Sequence, residues 1–224
     1  MKDLGPHLPY YALAGGALAY GTRIDGPLHA ETHAFYGSAP PVADWLDVTN
    51  LLGERVVVVP AAGVFALTLT TDDTRLQDAA FTSLQALVYS RAITDALKTV
   101  VGRSRPTAGN GPYRADPFSG RTSFPSGHTT TAFALITPWV LYYPNVATYG
   151  LLAVGAGTAT ARVALDRHWP TDVVAGAAIG VFTARYLARR HLESRPEAWA
   201  PVQLQVTSLV GTDAIGIGLR VHLR

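Results

Sequence analysis

The chain has 224 residues, no cysteine and a formal net charge of +2. This length fits one domain of ordinary size with a sizeable core. The lack of cysteine excludes disulfides, thiolate-bound zinc, iron–sulfur clusters and a thiol nucleophile. The balanced charge disfavours a large nucleic-acid interface. Charged residues make up 15% of the chain, against roughly 25% in an average soluble domain, so a membrane bundle and a tightly packed soluble bundle both stay open.

Long runs without charged residues predict about six helices. These runs, rich in Ala and Leu, are 4–22, 56–71, 79–90 continued by a helical pattern to Lys98, 129–161 and 173–184. Such length and composition favour helix over strand. Pro144-Asn145 divides the run 129–161 into two helices with a very short turn. Between the runs, residues 23–53 are interpreted as a mixed stretch and 106–125 as a loop rich in Gly and Pro.

Residues 202–224 have a different pattern. Apolar residues alternate with Gln, Gly, Arg and His on both sides of Gly211-Thr212-Asp213, which predicts a β-hairpin. An isolated hairpin is marginal in water, so we expect it to pack on the bundle or on another chain. The predicted fold is therefore an all-α bundle of about six helices over residues 1–195, with a small β-hairpin appendage at 196–224.

The membrane signals are mixed. A spanning helix needs about 20 apolar residues, and most of the runs are shorter. The loop 71–78 is net acidic, whereas Arg189, Arg190 and Arg195 follow the last run and give a positive-inside signal. A multi-pass membrane protein is favoured, with a soluble or peripheral protein as the alternative. The first run could instead be a signal peptide, but its charged leader is short.

Two motifs place cations and a capped helix close together along the chain. In the first motif (98–106), the helix ends near Gly102, so Lys98 lies in its last turns and Arg105 on the exit. The second motif (125–128) reads Pro-Ser-Gly-His, with Ser126 as the N-cap of a long helix. The free N–H groups at such a helix start form an anion-binding site.

The third motif (162–172) contributes Arg162, His168 and Asp172. Thr171 can cap the next helix, which places Asp172 in its first turn, and the spacing of four brings the imidazole and the carboxylate together. Each motif alone has an ordinary structural explanation as a solvated face, a cap or a hydrogen bond. Together, the clustered ionisable groups of a charge-poor chain indicate a site, and an oxyanion would satisfy their charge.

The three motifs, in this order and with these spacings, resemble the type 2 phosphatidic acid phosphatase and vanadium haloperoxidase superfamily. Its signature is Lys-x6-Arg-Pro, Pro-Ser-Gly-His and Ser-Arg-x5-His-x3-Asp. The one departure is Ala161, where the family usually has Ser, which removes one hydroxyl contact to phosphate. The motifs span 98–172, and the helical pattern extends the resemblance over 10–190.

The resemblance implies a metal-independent phosphatase with a phosphohistidine intermediate. His168 would be the nucleophile, and Asp172 would fix its tautomer. His128 would protonate the leaving alkoxide and then activate water. The implied phosphate-binding residues are Lys98, Arg105, Ser126, Gly127 and Arg162. No cofactor or metal is implied, although phosphate or vanadate could bind in the site.

The resemblance also implies the substrate class, a phosphate monoester or pyrophosphate of a lipid. Phosphatidic acid, phosphatidylglycerol phosphate, polyprenyl pyrophosphate and a lipid A phosphate are all candidates, and in similar enzymes the site faces the extracytoplasmic side. Three alternatives stay open: a soluble or peripheral periplasmic acid phosphatase acting on small phosphomonoesters, a vanadate-dependent haloperoxidase, and a non-catalytic envelope interaction protein that keeps the motifs as a relic. No nucleic-acid partner is expected, and the oligomeric state is open.

Residues beside the motifs are predicted to be structural. Arg91, Asp95 and Lys98 share a helix face, so we expect an Arg91–Asp95 pair to orient Lys98. Trp169 is expected to wall the site or to lie at a membrane interface. Four arginines are expected on solvated surface: Arg103, Arg114, Arg121 and Arg167. Five histidines are interpreted as ordinary: His7, His29, His33, His191 and His222.

Overall fold

The computed structural model describes residues 21–51, 57–193, 203–210 and 215–222, the last two ranges by their backbone. Seven α-helices lie within these ranges. They are α1 (Asp25–Ser38), α2 (Pro40–Asn50), α3 (Val58–Thr68), α4 (Thr74–Val101), α5 (Gly127–Tyr142), α6 (Val146–Ala164) and α7 (Pro170–Glu193). The predicted all-α bundle is confirmed.

Helix α5 lies at the centre and packs against α4, α6 and α7, and α4 also packs against α7. Alanines fill the contact between α4, α5 and α7, where Ala86, Ala134 and Ala184 are completely buried. Helices α1 and α2 pack on α6, and α3 packs on α4. The four helices that carry or flank the three motifs therefore form the core, and the N-terminal helices cover it.

Local sequence signals set the ends of the motif-bearing helices. Helix α4 stops at Gly102, whose φ of +58° is left-handed and where a Cβ would lie 1.8 Å from the Asp116 carbonyl oxygen. Ser126 caps α5 as predicted, with its side chain accepting from the Thr129 N–H. The predicted division at Pro144 is also confirmed, because Asn145 caps α6 with a capping box just before the helix begins at Val146.

Two glycines let α7 approach α5 backbone to backbone. A Cβ at Gly176 would lie 2.5 Å from the Ser126 carbonyl oxygen, and one at Gly180 would lie 2.7 Å from the Thr130 carbonyl oxygen. Close to this crossing the Ser126 N–H donates to the Asp172 carbonyl oxygen at 2.9 Å. The starts of α5 and α7, which carry the second and third motifs, are thereby held side by side.

The interpretation of residues 23–53 as a mixed stretch is wrong, because Asp25–Ser38 and Pro40–Asn50 within it form α1 and α2. Its prolines lie in first turns, where a missing N–H costs nothing. Pro27 is the third residue of α1, and Pro40 begins α2. Prolines disrupt the interior of a helix, but these prolines lie in first turns, where proline is compatible with a helix.

Several sequence predictions concern residues that are not described. The uncharged run 4–22, whether a helix or a signal peptide, lies outside the described residues except for its last two positions. At the C-terminus, strands β1 (Gln203–Val210) and β2 (Ile215–His222) pair antiparallel. The packing of this pair on the bundle and the boundary at residue 196 stay predictions.

Membrane insertion was expected from the low charge. Within residues 21–51 and 57–193, no helix is both long and apolar enough to cross a membrane. The multi-pass arrangement therefore stays a prediction.

The close crossing of α5 and α7 predicts a cost for any side chain at Gly180. Gly180→Ala forces a Cβ against backbone atoms of α5 that cannot swing away, so we expect the free energy of unfolding to fall by roughly 1–3 kcal/mol. Gly150→Ala in α6 is the matched control, because a Cβ there meets nothing within 4 Å. Urea unfolding of both variants checks this, and equal stability would contradict the close crossing.

Candidate active site

The three motifs converge at the ends of α4, α5, α6 and α7. Lys98 lies in the last turn of α4, His128 in the first turn of α5, Arg162 in the last turn of α6 and Asp172 in the first turn of α7. His168 lies on the loop that joins α6 to α7. Helix ends that are far apart along the chain thus bring their ionisable side chains together.

The loop before α7 is folded around one carbonyl group. The Arg162 carbonyl oxygen accepts from the backbone N–H groups of Arg167 at 3.1 Å and His168 at 3.0 Å. The chain passes through Asp166, whose φ of +56° is left-handed. The side chain of Trp169 is buried, and its indole N–H donates to the Ser104 carbonyl oxygen at 2.9 Å. Trp169 therefore ties the third motif to the first.

His168 and Asp172 form the predicted imidazole–carboxylate pair. Nδ1 of His168 lies 3.6 Å from Oδ2 of Asp172, and the two side chains are 2% and 0% exposed. This distance is longer than a hydrogen bond, but Nδ1 is the ring nitrogen that faces the carboxylate. Nε2 is therefore the nitrogen left to react. The prediction that the spacing of four brings them together is confirmed.

The Asp172 carboxylate is held by three further donors. Its Oδ1 accepts from Arg103 Nη1 at 2.5 Å, and its Oδ2 accepts from Ser123 Oγ at 2.5 Å and from the Trp169 N–H at 2.9 Å. Burial alone would raise the pKa of Asp172, but interactions with His168, Arg103 and Ser123 outweigh it and hold the pKa below its usual value. Asp172 is therefore ionised and fixed in orientation.

Three cations lie around this pair. Lys98 Nζ donates to the carbonyl oxygens of Thr122 and Pro125, both at 2.6 Å. Arg105 Nη2 donates to Thr122 Oγ1 at 3.2 Å. Arg162 is buried, and its Nη1 donates to Asn50 Oδ1 at 3.1 Å. Each of these contacts is made to a neutral oxygen.

Burial and mutual repulsion lower the pKa values of the cationic groups. The pKa of Lys98 falls to about 8, mainly through burial and also through Arg105. The pKa of Arg105 is lowered by burial and by Arg167. Charged groups forced together in this way are characteristic of functional sites.

The two site histidines are neutral at pH 7. Burial, followed by Arg162 and His168, lowers the pKa of His128 to about 3. Burial also lowers the pKa of His168 to about 4 against the opposing effect of Asp172. A neutral His168 keeps the lone pair that a nucleophile needs.

The start of α5 provides a close approach between backbone and cation. Ser126 is completely buried, and its Oγ accepts from Thr129 Oγ1 at 3.0 Å as part of the cap. A Cβ at Gly127 would lie 2.3 Å from Arg91 Nη1. The expected Arg91–Asp95 pair is present, with Nη2 and Oδ1 3.4 Å apart. The phosphate-binding roles of Ser126 and Gly127 stay predictions.

Sequence reasoning missed two charged residues beneath the site. Arg103, expected on solvated surface, is 4% exposed, and its Nη2 contacts Asp25 Oδ2 at 2.5 Å. Thr171 was expected before the helix as its cap, but it lies inside the first turn, where its N–H donates to Asp25 Oδ1 at 2.8 Å. Arg103 could have been found, because it lies within the first motif, whose two ends reach the site. Asp25 is far away along the chain and has no such signal.

The site thus gathers three cations, two histidines and a buried carboxylate at or near the helix ends of an all-α bundle. The sequence profile of the PAP2 superfamily matches residues 79–196, and the chain belongs to this superfamily. The matched range includes all three motifs and excludes α1, α2 and α3.

Relatives with a named activity match part of the chain. The lipid A 1-phosphatase of Rhizobium johnstonii is 34% identical over 124 residues, which are 50% of this chain and 50% of that protein. The lipid A 1-phosphatase of Porphyromonas gingivalis is 37% identical over 94 residues, which are 40% of this chain and 18% of that protein. The chain spans about half the length of the Rhizobium protein and a smaller share of the Porphyromonas protein.

Two crystal structures share the fold. LpxE of Aquifex aeolicus superposes with a TM-score of 0.58 at 19% identity, covering 74% of this chain and 95% of that chain. The transmembrane PAP2 type phosphatidylglycerolphosphate phosphatase of Bacillus subtilis superposes with a TM-score of 0.56 at 17% identity, covering 80% and 96%.

The lowered pKa of Lys98 predicts a pH limit on anion binding. As the pH rises through about 8, Lys98 loses its proton. We therefore expect the affinity for inorganic phosphate to be about tenfold lower at about pH 9 than at about pH 7. Lys98→Arg keeps its charge there, and its affinity should stay nearly constant over the same interval. Isothermal titration calorimetry checks this, and an identical pH dependence in both proteins would contradict a role for Lys98 in anion binding.

Proposed function

We propose that this protein is a phosphoric ester hydrolase that removes phosphate from a lipid through a phosphohistidine on His168. The observation that carries the proposal is the convergence of Lys98, Arg105 and Arg162 around a buried, neutral His168 paired with Asp172. Phosphoryl transfer requires mainly positioning and charge stabilisation, and this arrangement provides both.

In the first step, Nε2 of His168 attacks phosphorus, and the bond from phosphorus to the leaving oxygen breaks. The three cations hold the phosphoryl oxygens and offset the charge that develops on them. As the N–P bond forms, the imidazole ring becomes positively charged. The ionised Asp172, with its Oδ2 3.6 Å from Nδ1, stabilises that charge and keeps the ring oriented.

His128 would supply the proton for the leaving alkoxide and later take one from water. The pKa of His128, about 3, is too low for an acid at neutral pH, and Arg162 is a main cause after burial. A bound phosphate ester brings negative charge beside Arg162 and Lys98. That charge offsets their effect, so substrate binding raises the pKa of His128 and allows it to carry the proton.

We propose that the reaction proceeds without a metal ion. The positive charge that a metal would bring to the phosphoryl oxygens is supplied by Lys98, Arg105 and Arg162. The carboxylate oxygens of Asp172 are already taken by Arg103 and Ser123, which leaves them poorly suited to ligate a metal.

Two observations favour a lipid substrate. Large apolar side chains line one exposed stripe of α7 at helical spacing: Val174 is 63%, Phe182 69% and Tyr186 63% exposed. Exposed apolar surface of this kind is typical of contact with a membrane, a ligand or another protein, and contact with a membrane fits a lipid substrate. The relatives named above are lipid A 1-phosphatases. We therefore propose a phosphorylated lipid of the lipid A type at a membrane, with phosphatidic acid as the second candidate substrate.

The direct test is phosphate release from lipid A bearing a 1-phosphate, from phosphatidic acid and from p-nitrophenyl phosphate, in detergent micelles. His168→Ala should lower kcat at least about a thousandfold on any substrate that the protein hydrolyses, because the nucleophile is lost. His191→Gln is the matched control, since His191 lies at the far end of α7 and pairs with Thr82.

The three substrates separate the proposed class from its alternative. Faster turnover of either lipid supports a lipid phosphatase. Turnover of p-nitrophenyl phosphate alone would contradict the lipid assignment and favour a phosphatase for small esters. Full activity in folded His168→Ala would contradict the proposed mechanism.

A further inference from the structure

Three buried charges form a row beneath the site. Arg103 contacts Asp172 through Nη1 and Asp25 through Nη2, both at 2.5 Å. The arginine side chain is 5% exposed, and both carboxylates are completely buried. The arginine is also fixed from a third side, because its Nε donates to the Pro112 carbonyl oxygen at 2.9 Å. Because Arg103 contacts both carboxylates and is itself fixed, the position of Asp25 helps to set the position of Asp172.

Asp25 also holds the start of α7 directly. Its Oδ1 accepts the Thr171 N–H at 2.8 Å, and its Oδ2 accepts the Thr171 hydroxyl at 2.6 Å. The N–H groups at a helix start need such acceptors. Asp25 belongs to α1, which lies outside the matched range 79–196, so a helix beyond the shared domain reaches the helix turn that carries Asp172.

The net charge of the row determines how strongly a positive ring on His168 is stabilised. Arg103 with Asp172 alone would be neutral overall, whereas the row with Asp25 carries one net negative charge. The other charged or titratable groups that act on His168 include Lys98 and Arg162, which disfavour a positive ring, and the neighbouring His128. Asp172 opposes them, because its negative charge stabilises a positive ring on His168. If Asp25 did not balance the charge of Arg103, Arg103 would weaken this stabilisation.

We propose that Asp25 and Arg103 are positioning residues for the reaction, which orient Asp172 and leave the buried row with the single negative charge that balances the imidazolium formed on His168. Without Asp25, Arg103 neutralises Asp172 and the positive ring loses its counter-charge. Without Arg103, two buried carboxylates face each other unscreened. In both cases, the chemical step slows while the cations that bind phosphate are unchanged.

This inference rests on the proposed phosphatase activity, and a set of four variants tests it. They are Asp25→Asn, Arg103→Gln, the double variant with both changes, and Asp47→Asn as the control. Asp47 is an exposed carboxylate on α2 that accepts from the Tyr36 hydroxyl, so its loss leaves the buried row intact. The measured quantities are kcat and KM for the best substrate of the phosphate-release assay, and the affinity for inorganic phosphate.

Each single change should lower kcat about tenfold to a hundredfold, as the loss of an orienting partner does at other sites, with KM and phosphate affinity within about twofold. Asp47→Asn should behave as the unchanged protein. The double variant restores one net negative charge, so its kcat should exceed that of Asp25→Asn. A purely structural role predicts instead that each folded variant keeps the kcat of the unchanged protein and loses only stability.

The outcomes separate the two proposals. If the unchanged protein releases no phosphate from any substrate, the proposed function fails. If it is active and Asp25→Asn has the kcat of Asp47→Asn, or the double variant is no faster than Asp25→Asn, the positioning role is wrong. If Asp25→Asn does not fold, kcat is compared between the double variant and Arg103→Gln. The proposal then requires the higher kcat in the double variant. A double variant that is also unfolded shows that the row serves folding, and overturns the proposal.

Discussion

The buried carboxylate of Asp172 is the interaction on which the rest of the site depends. A buried ionised carboxylate is costly unless donors surround it, and here Arg103, Ser123 and the Trp169 N–H supply those donors. Each donor comes from a different part of the chain, so satisfying one charge draws the first motif, the loop before α5 and the start of α7 together. His168 packs beside this carboxylate, with Nδ1 3.6 Å from Oδ2 of Asp172.

The same constraint accounts for the arrangement of the cations. Helices α5 and α7 cross at Gly176 and Gly180 with backbone contact, and this closeness allows the Ser126 N–H to reach the Asp172 carbonyl oxygen. Lys98 and Arg162 then lie at helix ends beside the same pair, where Lys98 contacts two carbonyl oxygens and Arg162 contacts the amide oxygen of Asn50. A charge-poor bundle thus keeps several cations close together, and the pKa of Lys98 is lowered mainly by burial and further by repulsion from Arg105.

What the sequence could predict was mostly local. The stop of α4 at Gly102 and the caps at Ser126 and Asn145 follow from residues within one turn of each boundary. The motif spacing predicted the His168–Asp172 pair for the same reason. Arg103 and Asp25 could not be paired in this way, because they are 78 residues apart and only the packing of α1 brings them together. Helices α1 and α2 were missed because their prolines lie at helix starts, where proline is compatible with a helix.

The central claim is that phosphate passes through His168. Rapid mixing with substrate, quenching in alkaline denaturant that preserves phosphohistidine, and tandem mass spectrometry would locate any covalent phosphate. The account predicts a phosphoryl group on His168 that forms and decays during turnover and is absent from His168→Ala. Phosphate on another residue, or steady hydrolysis with no phosphorylated protein at any time point, would contradict it.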